Sequence, residues 1–343
     1  MATRFPQLSV GLAGLPIDYA MSMAKEADDQ GFYSTTVGEL VRDVFVYLAA
    51  LAVNTKNIKL VTGIATWTRT PVTTMRACRD MQLLSKGRFV FGIGSMPKFW
   101  NKDYHDIDPD RPLARMREFV DVLGKLYSAP RDTKFYYAGE FYQINGYLPY
   151  EDPPPYDLPI YIGASMPKMF RFSGEKADGV LFNTRHTVPW VKQTALPAIE
   201  EGLHKAGRTR QDIHLHASCS VIFTDNAQEF KEAFNNFRHM ISRTYLNVDY
   251  HQKLMIDQGL AEEVAMARKA LAKGDDEGFV GAVSENMFRT YNIVGTVDEC
   301  LEGVAKYTGA VDSLSLDSPV GNTIEEKIKA TRRIMEVFRL APN

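Results

Sequence analysis

The sequence predicts an α/β fold, a (β/α)8 barrel. Short apolar strand patterns alternate with helix patterns nearly from end to end, and eight such strands can be counted. Several, such as VFGIG at 90–94 and IYIG at 160–163, are apolar almost continuously, which suits a parallel sheet covered by helices on its outer face. A doubly wound open sheet is the alternative reading of the same alternation.

Taken in order, the strands fall at 8–12, 33–37, 58–64, 88–93, 159–162, 179–182, 215–223 and 311–316. Helix patterns lie between them at 16–30, 44–54, 71–84, 112–127, 167–174 and 189–206, several more follow 225, and a last one spans 324–338. In the 112–127 helix, Leu113, Met116, Val120, Leu123 and Tyr127 recur at three- and four-residue steps and make one apolar face. Asp110 is its expected N-cap. Thr70 followed by Pro71 reads as an N-cap and first helical residue. Thr296 with Glu299, and Thr323 with Glu326, spell capping boxes.

Two segments break the alternation within what reads as one domain over 1–343. Residues 130–157 hold a hairpin, KFYYAGEFYQI, turning at Ala138 and Gly139, and a proline-rich stretch at 153–155. Residues 225–292 are long, charged and rich in helix patterns. They read either as a packing or subunit-contact element or as a lid over a substrate.

Composition bounds the function. Among 343 residues, 40 basic side chains face 42 acidic ones, so no electrostatic footprint points to nucleic acid or an anionic membrane. No apolar run approaches the ~18 residues of a membrane span, and the first residues lack a signal-peptide core. Cys78, Cys219 and Cys300 are far apart and odd in number, which indicates neither a disulfide framework nor a zinc site. A cytoplasmic location is expected. HExxH and carboxylate clusters are missing, and His214 and His216 read as ordinary strand residues, so no metal is expected. The nucleophile elbow is missing too, and GIGSMP at 92–97 lacks the third glycine of a dinucleotide fingerprint.

In a barrel, the C-terminal ends of the strands carry the chemistry. Those exits hold Glu39 after the second strand, Thr66, Trp67 and Arg69 after the third, and Ser95, Lys98, Trp100 and His105 after the fourth. Ala164, Ser165 and Lys168 follow the fifth, Asn183, Arg185 and His186 the sixth, and Asp317 and Ser318 the eighth. The third exit, IKLVTGIATWTRTP at 58–71, is the most informative. There an apolar strand meets Gly63 and then runs into polar and aromatic groups just before a helix start. At Gly163–Lys168 a small-residue turn enters a helix, where free N–H groups and the Ser165 hydroxyl suit a phosphate; a turn without ligand is the other reading.

In combination, GEL, VTGIATWTRTP, LLSKGRFVFGIGS and PIYIGASMPKMFRFSGEKADGVLFN, with VGTVDECLEGVAKY near the end, resemble the luciferase-like monooxygenase superfamily. Within it the chain is most similar to actinobacterial oxidoreductases that use the deazaflavin coenzyme F420. The resemblance implies that Gly63, Ile64 and Ala65 form the bulge against which a tricyclic ring rests, with a cis peptide between Gly63 and Ile64. It also implies that Ser95 lies near the cofactor and that Gly163, Ala164, Ser165 and Met166 hold its phosphate. Ser95-Met96-Pro97-Lys98, and Glu39 without an Asp-His pair, depart from the sugar-phosphate dehydrogenase branch. The implied activity is hydride transfer between F420 and a small organic molecule, with FMN as alternative cofactor. Glu39, His105 and His186 are candidate proton donors, and Trp67, Lys98 and Trp100 would wall the substrate. An FMN-dependent monooxygenase is the alternative enzyme, and a flavin-binding carrier or sensor the alternative of another class. A homo-oligomer, a homodimer in the simplest case, is expected.

Overall fold

Side chains of a strand alternate between its two faces, so each barrel strand sends one set outward to the helices and the other into the barrel. In this computed structural model, which describes residues 4–340 except 13, 41, 320 and 322, the strands are β1 (Gln7–Gly11), β2 (Ser34–Val37), β3 (Lys59–Thr62), β4 (Phe89–Ile93), β5 (Phe135–Ala138), β6 (Gln143–Tyr147), β7 (Ile160–Ala164), β8 (Gly179–Phe182), β9 (His214–Phe223), β10 (Asn292–Gly295) and β11 (Ser313–Asp317). Eight of them run parallel in the order β1-β2-β3-β4-β7-β8-β9-β11, and β11 pairs back onto β1 to close a barrel. Each expected barrel strand is found, with ends shifted by at most two residues.

Helices wrap the outside: α1 (Ile17–Asp29), α2 (Val44–Asn54), α3 (Pro71–Ser85), α4 (Pro112–Tyr127), α5 (Pro167–Lys176), α6 (Val188–Trp190) and α7 (Leu196–Lys205), joined by a π-helical turn at Val191–Ala195. After β9 come α8 (Ala227–Thr244), α9 (Asp249–Asp257), α10 (Ala261–Leu271), α11 (Asp276–Gly281) and α12 (Glu285–Tyr291), then α13 (Val297–Ala305) and α14 (Ile324–Leu340). Val10, Leu60, Phe89, Phe91 and Ile93 turn outward into a core shared with α1 to α4. Val180, Phe182, Leu215, Leu314 and Leu316 do the same beneath α7, α13 and α14.

Caps behave as their side chains dictate. Thr70 caps α3 with Pro71 at its start, and the Thr296–Glu299 box closes reciprocally. Thr323 and Glu326 also exchange both hydrogen bonds. Asp110 does not cap α4. Arg111 holds that position with φ of 55°, and the Asp110 carboxylate pairs with Lys98 at 3.1 Å.

The hairpin of β5 and β6 is fixed to α4 because the Glu118 carboxylate accepts the backbone N–H groups of Glu140, Phe141 and Tyr142. Helices α8 to α12 bury a core of their own around Phe237, Ile241, Met287 and Phe288, and β10 extends the sheet beside β9. The barrel thus carries elements beyond its core, at both places where the alternation fails.

Candidate active site at the barrel mouth

At the exit of β3 the chain turns in on itself. The Gly63–Ile64 peptide is cis, and neighbouring strands hold it on both sides. Gly63 N–H donates to the Val37 carbonyl at 2.7 Å, and Glu39 N–H to the Ile64 carbonyl at 3.1 Å. On the other side Ala65 N–H reaches Gly92 at 2.8 Å, and Gly94 N–H reaches Ala65 at 3.0 Å. The Ile64 side chain lies over two glycines: a methyl on Gly94 would come within 2.0 Å of its Cδ1, and one on Gly163 within 2.8 Å of its Cγ2. Below it, Val61, Val90, Tyr161 and Leu181 form an apolar cluster inside the barrel.

Glu39, half-buried, accepts the Thr66 N–H at 2.8 Å and lies 3.9 Å from Arg69. Burial lifts its carboxyl above the usual range, opposed by the Thr66 N–H and the Arg69 charge. Arg69 also pairs with Asp43, the N-cap of α2. These bonds stitch the exits of β2 and β3 together.

Beyond β4, residues 98–105 fold into a short helical segment with a π turn at Trp100–Tyr104. Asn101 is its hub. It accepts the Trp67 indole N–H at 2.8 Å and donates to the carbonyls of Ser95 at 2.8 Å and Pro97 at 3.1 Å. Trp67 is therefore buried in the core, with the Arg115 guanidinium 5.9 Å from its ring. Lys98 and His105 are exposed, and Trp100 packs between Tyr104 and His105 with its indole N–H buried and unpartnered.

The turn from β7 into α5 has part-exposed Gly163, Ser165 and Met166, while Ala164 faces the outer core. Met166 occupies the N-cap with extended backbone, no side chain caps the helix, and its first turn carries no acidic residue. Helix starts of this kind present N–H donors and favour an anion. Beside the turn, His186 stacks on Trp190 at 4.7 Å, and burial pushes its pKa down to about 3. Its Nδ1 accepts the Asn183 N–H at 3.1 Å, so the neutral ring carries its proton on Nε2. The buried Nε2–H is directed at the Ser165 backbone, an interaction that opposes the effect of burial on the ring.

Arg185 explains how the helical insertion is seated. Its guanidinium is buried among Phe237, Tyr245 and Tyr291, 5.2 to 5.6 Å from their rings. Gln258 of the insertion bonds both the Arg185 carbonyl and the Thr187 N–H.

The opposite side of the barrel interior is polar. Ser9 and Ser34 hydroxyls meet at 2.7 Å. The Ser313 hydroxyl lies 2.7 Å from both His214 and His216, and His216 continues to Thr36 at 3.4 Å. Burial holds His216 neutral, with its pKa down at about 3. Above this network Asp317 ends β11, and burial raises its carboxyl to about 6. Asp317 appeared in the sequence only as a strand exit; Asn101 and the serines were not singled out.

Glu39, Gly63 to Ala65, Ser95 and Gly163 to Met166 thus gather at one end of the barrel. His105, Lys98 and Trp100 sit on the adjacent helical segment, and Trp67 and His186 are buried beside it. Among the described residues, no group of three or more histidines, cysteines or carboxylates is placed to hold a metal. Nor is any helix among them long and apolar enough to cross a membrane.

The family model described as luciferase-like monooxygenase matches residues 2–313. The chain belongs to that family. It is 31% identical over 317 residues to 5,10-methylenetetrahydromethanopterin reductase of Archaeoglobus fulgidus, which covers 89% of this chain and 91% of that one. In fold it is similar to the coenzyme F420-dependent tetrahydromethanopterin reductase of Methanopyrus kandleri, with TM-score 0.77 and 22% identity over 97% of this chain and 98% of that chain. It is also similar to the oxygenating constituent of 3,6-diketocamphane monooxygenase of Pseudomonas putida in complex with FMN, with TM-score 0.69 and 18% identity over 98% of this chain and 100% of that chain. The resemblance is not specifically actinobacterial: archaeal 5,10-methylenetetrahydromethanopterin reductases match, as do uncharacterized mycobacterial proteins, which are 28% identical over 286 residues. Family membership makes the chain an oxidoreductase of the luciferase-like class.

Proposed function

We propose that this protein transfers a hydride between bound coenzyme F420 and a small organic substrate. The observation that carries the reading is the shelf formed where Ile64 lies over Gly94 and Gly163, next to the uncapped start of α5. An apolar shelf suits a flat ring, and the helix start suits the phosphate tethered to it. The coenzyme F420 dependence of the Methanopyrus kandleri reductase points to the deazaflavin.

In this reading Gly63, Ile64, Ala65 and Ser95 orient the ring, and Gly163, Ala164, Ser165 and Met166 shape the phosphate turn. His186, neutral and enclosed, acts as a hydrogen-bond donor rather than as an acid. Glu39 acts as a positioning residue, since its carboxylate is committed to Thr66 and Arg69. Trp100, Lys98 and His105 border the substrate side, and Trp67 anchors that border from within through Asn101. When bound, the deazaflavin supplies a hydride-carrying carbon, and the protein supplies orientation and proton management.

The FMN-dependent monooxygenase reading is favoured by the likeness to a fold that binds FMN, but that likeness extends to the fold alone. A homo-oligomer of the chain in the cytoplasm completes the proposal, supported by Val46 and Val53, which stand exposed on α2. The test is the absorption spectrum of purified protein mixed with F420 or FMN and freed of unbound cofactor. Retained F420 is expected. Retention of FMN alone, with oxygen consumed on reduction, would overturn the reading in favour of the monooxygenase, and retention without redox change toward any reductant or substrate would favour a carrier.

A further inference from the structure

Along β11 the side chains of Leu314 and Leu316 belong to the outer core, so Ser313, Ser315 and Asp317 face the barrel interior. Asp317 is the last of them and stands at the mouth. Its Oδ1 fills the space a side chain on Gly11 would need: a methyl built there would lie 1.4 Å from Oδ1 and 2.7 Å from Cγ. Only glycine at position 11 lets the carboxyl lie inward. Asp317 ends β11, three strands from β3 in the barrel order, so the carboxyl shares the mouth with the shelf of Gly63 and Ile64.

The surroundings of Asp317 differ from those of Glu39. Glu39 accepts a backbone N–H and faces Arg69, whereas no described group donates a hydrogen bond to Asp317, and burial is what lifts its carboxyl. Among the described residues, the groups packed around it carry no balancing cation. Facing it on β9 are Ser218 and Ser220, while Cys219 turns to the outer core with its thiol pushed up. Ser9 and Gly11 lie on β1, Ser34 and Thr36 on β2, and the His216 ring deeper in the barrel is neutral. A carboxyl in such a place exchanges a proton near neutral pH, which is what acid–base catalysis needs.

We propose that Asp317 is the catalytic acid–base residue of the site, holding on its carboxyl the proton that accompanies hydride transfer to or from a C=O or C=N substrate. This rests on the oxidoreductase reading above. In the reducing direction the substrate carbon gains a hydride from the reduced deazaflavin and its oxygen or nitrogen gains the Asp317 proton. A C–H and an O–H or N–H bond form as the substrate π bond and the carboxyl O–H break, the deazaflavin gives up two electrons, and water reprotonates the carboxylate. In the oxidising direction Asp317 takes the proton from the alcohol or amine.

The experiment compares wild type, Asp317→Asn, Asp317→Glu and Gly11→Ala. Difference infrared titration of the cofactor-free protein should show one carboxyl titrating near pH 6, absent in Asp317→Asn and displaced in Gly11→Ala. F420 should bind wild type and Asp317→Asn alike. Reduced F420 with a panel of short aliphatic aldehydes, ketones and cyclic imines should be oxidised at least ~100-fold more slowly by Asp317→Asn, with partial rescue and a shifted alkaline limb in Asp317→Glu. Titration near the ordinary value of about 3.9, an undiminished Asp317→Asn rate, or a wild type that reduces none of the panel would overturn the proposal. Failure of wild type to bind F420 would instead defeat the cofactor reading, and with it this role, even where the infrared titration stands at 6.

Discussion

The two halves of the barrel interior are built from different chemistry on one backbone plan. Between β3, β4, β7 and β8, the interior holds Val61, Val90, Tyr161 and Leu181, with Ile64 lying over glycines above them. Between β9, β11, β1 and β2, it holds His216, Ser313, Ser9, Ser34 and Thr36 in hydrogen bonds, with Asp317 above. The parallel sheet satisfies its own backbone groups all round, so side chains alone decide what each half can do. An apolar wall with gaps receives a flat ring, and a polar wall manages protons. The division teaches that binding and proton transfer are separable in this site, and substitutions on the two sides should have unlike effects.

The largest effect is expected on the apolar side. Gly163→Val would drive a side chain into Ile64 Cγ2, which even a methyl approaches to 2.8 Å. F420 affinity should fall at least about 100-fold, or about 2.7 kcal/mol, while far-ultraviolet circular dichroism stays native. A fluorescence titration checks this, and unchanged affinity would remove the shelf from the site.

On the polar side, His216→Leu should cost about 2–3 kcal/mol in urea denaturation, because the Ser313 and Thr36 hydroxyls lose a buried partner. Cofactor affinity should change less than about threefold. The pH dependence has a definite sign. His216 stays neutral in the folded protein down to about pH 3, whereas an unfolded histidine takes its proton near 6.5. Below about 6.5 the unfolded state binds more protons, so stability falls as pH drops toward 3. His186 and His251, depressed to about 3 and about 4, add to the same slope, and His216→Leu should flatten it in part.

How far these features could be read from the sequence follows from how each is encoded. The eight barrel strands were legible because short strand patterns alternate with helix patterns nearly from end to end. The helix start at Thr70 and Pro71 and the capping boxes are local chemistry and held. The cis step at Gly63–Ile64 was legible through the glycine and the family resemblance together. Asp110 misled because capping competes with a partner distant in sequence, and Lys98 takes its carboxylate. Asn101 was invisible because its role depends on Trp67, brought to it only by the barrel. The polar half left a signal that was not used: HLHASCS and SLSLD alternate polar and apolar residues at period two, the pattern of a strand with one polar face, here turned inward.

A smaller effect, of opposite sign, comes from Asp317. Its raised pKa means that ionising it costs folded-state stability above about pH 6, while below the unfolded value of about 3.9 both states are protonated and the cost vanishes. Asp317→Asn should therefore stabilise the cofactor-free protein by about 1–2 kcal/mol at pH 7.5, and the gain should shrink as pH falls toward 4. Equal stability at both pH values would mean that the carboxyl is well solvated. The smallest effect belongs to Ser165→Ala, which should weaken F420 about three- to tenfold through one lost hydroxyl hydrogen bond. No change by isothermal titration would leave the phosphate to backbone groups.

The separation of the two halves is tested most directly by titrating F420 into Gly163→Val and Asp317→Asn side by side, under one buffer at pH 7.5. The expected result is that Gly163→Val loses at least about two orders of magnitude in affinity while Asp317→Asn stays within about threefold of the parent. Equal losses in the two variants, or a loss confined to Asp317→Asn, would contradict the assignment of ring binding to the apolar wall and proton handling to the polar one.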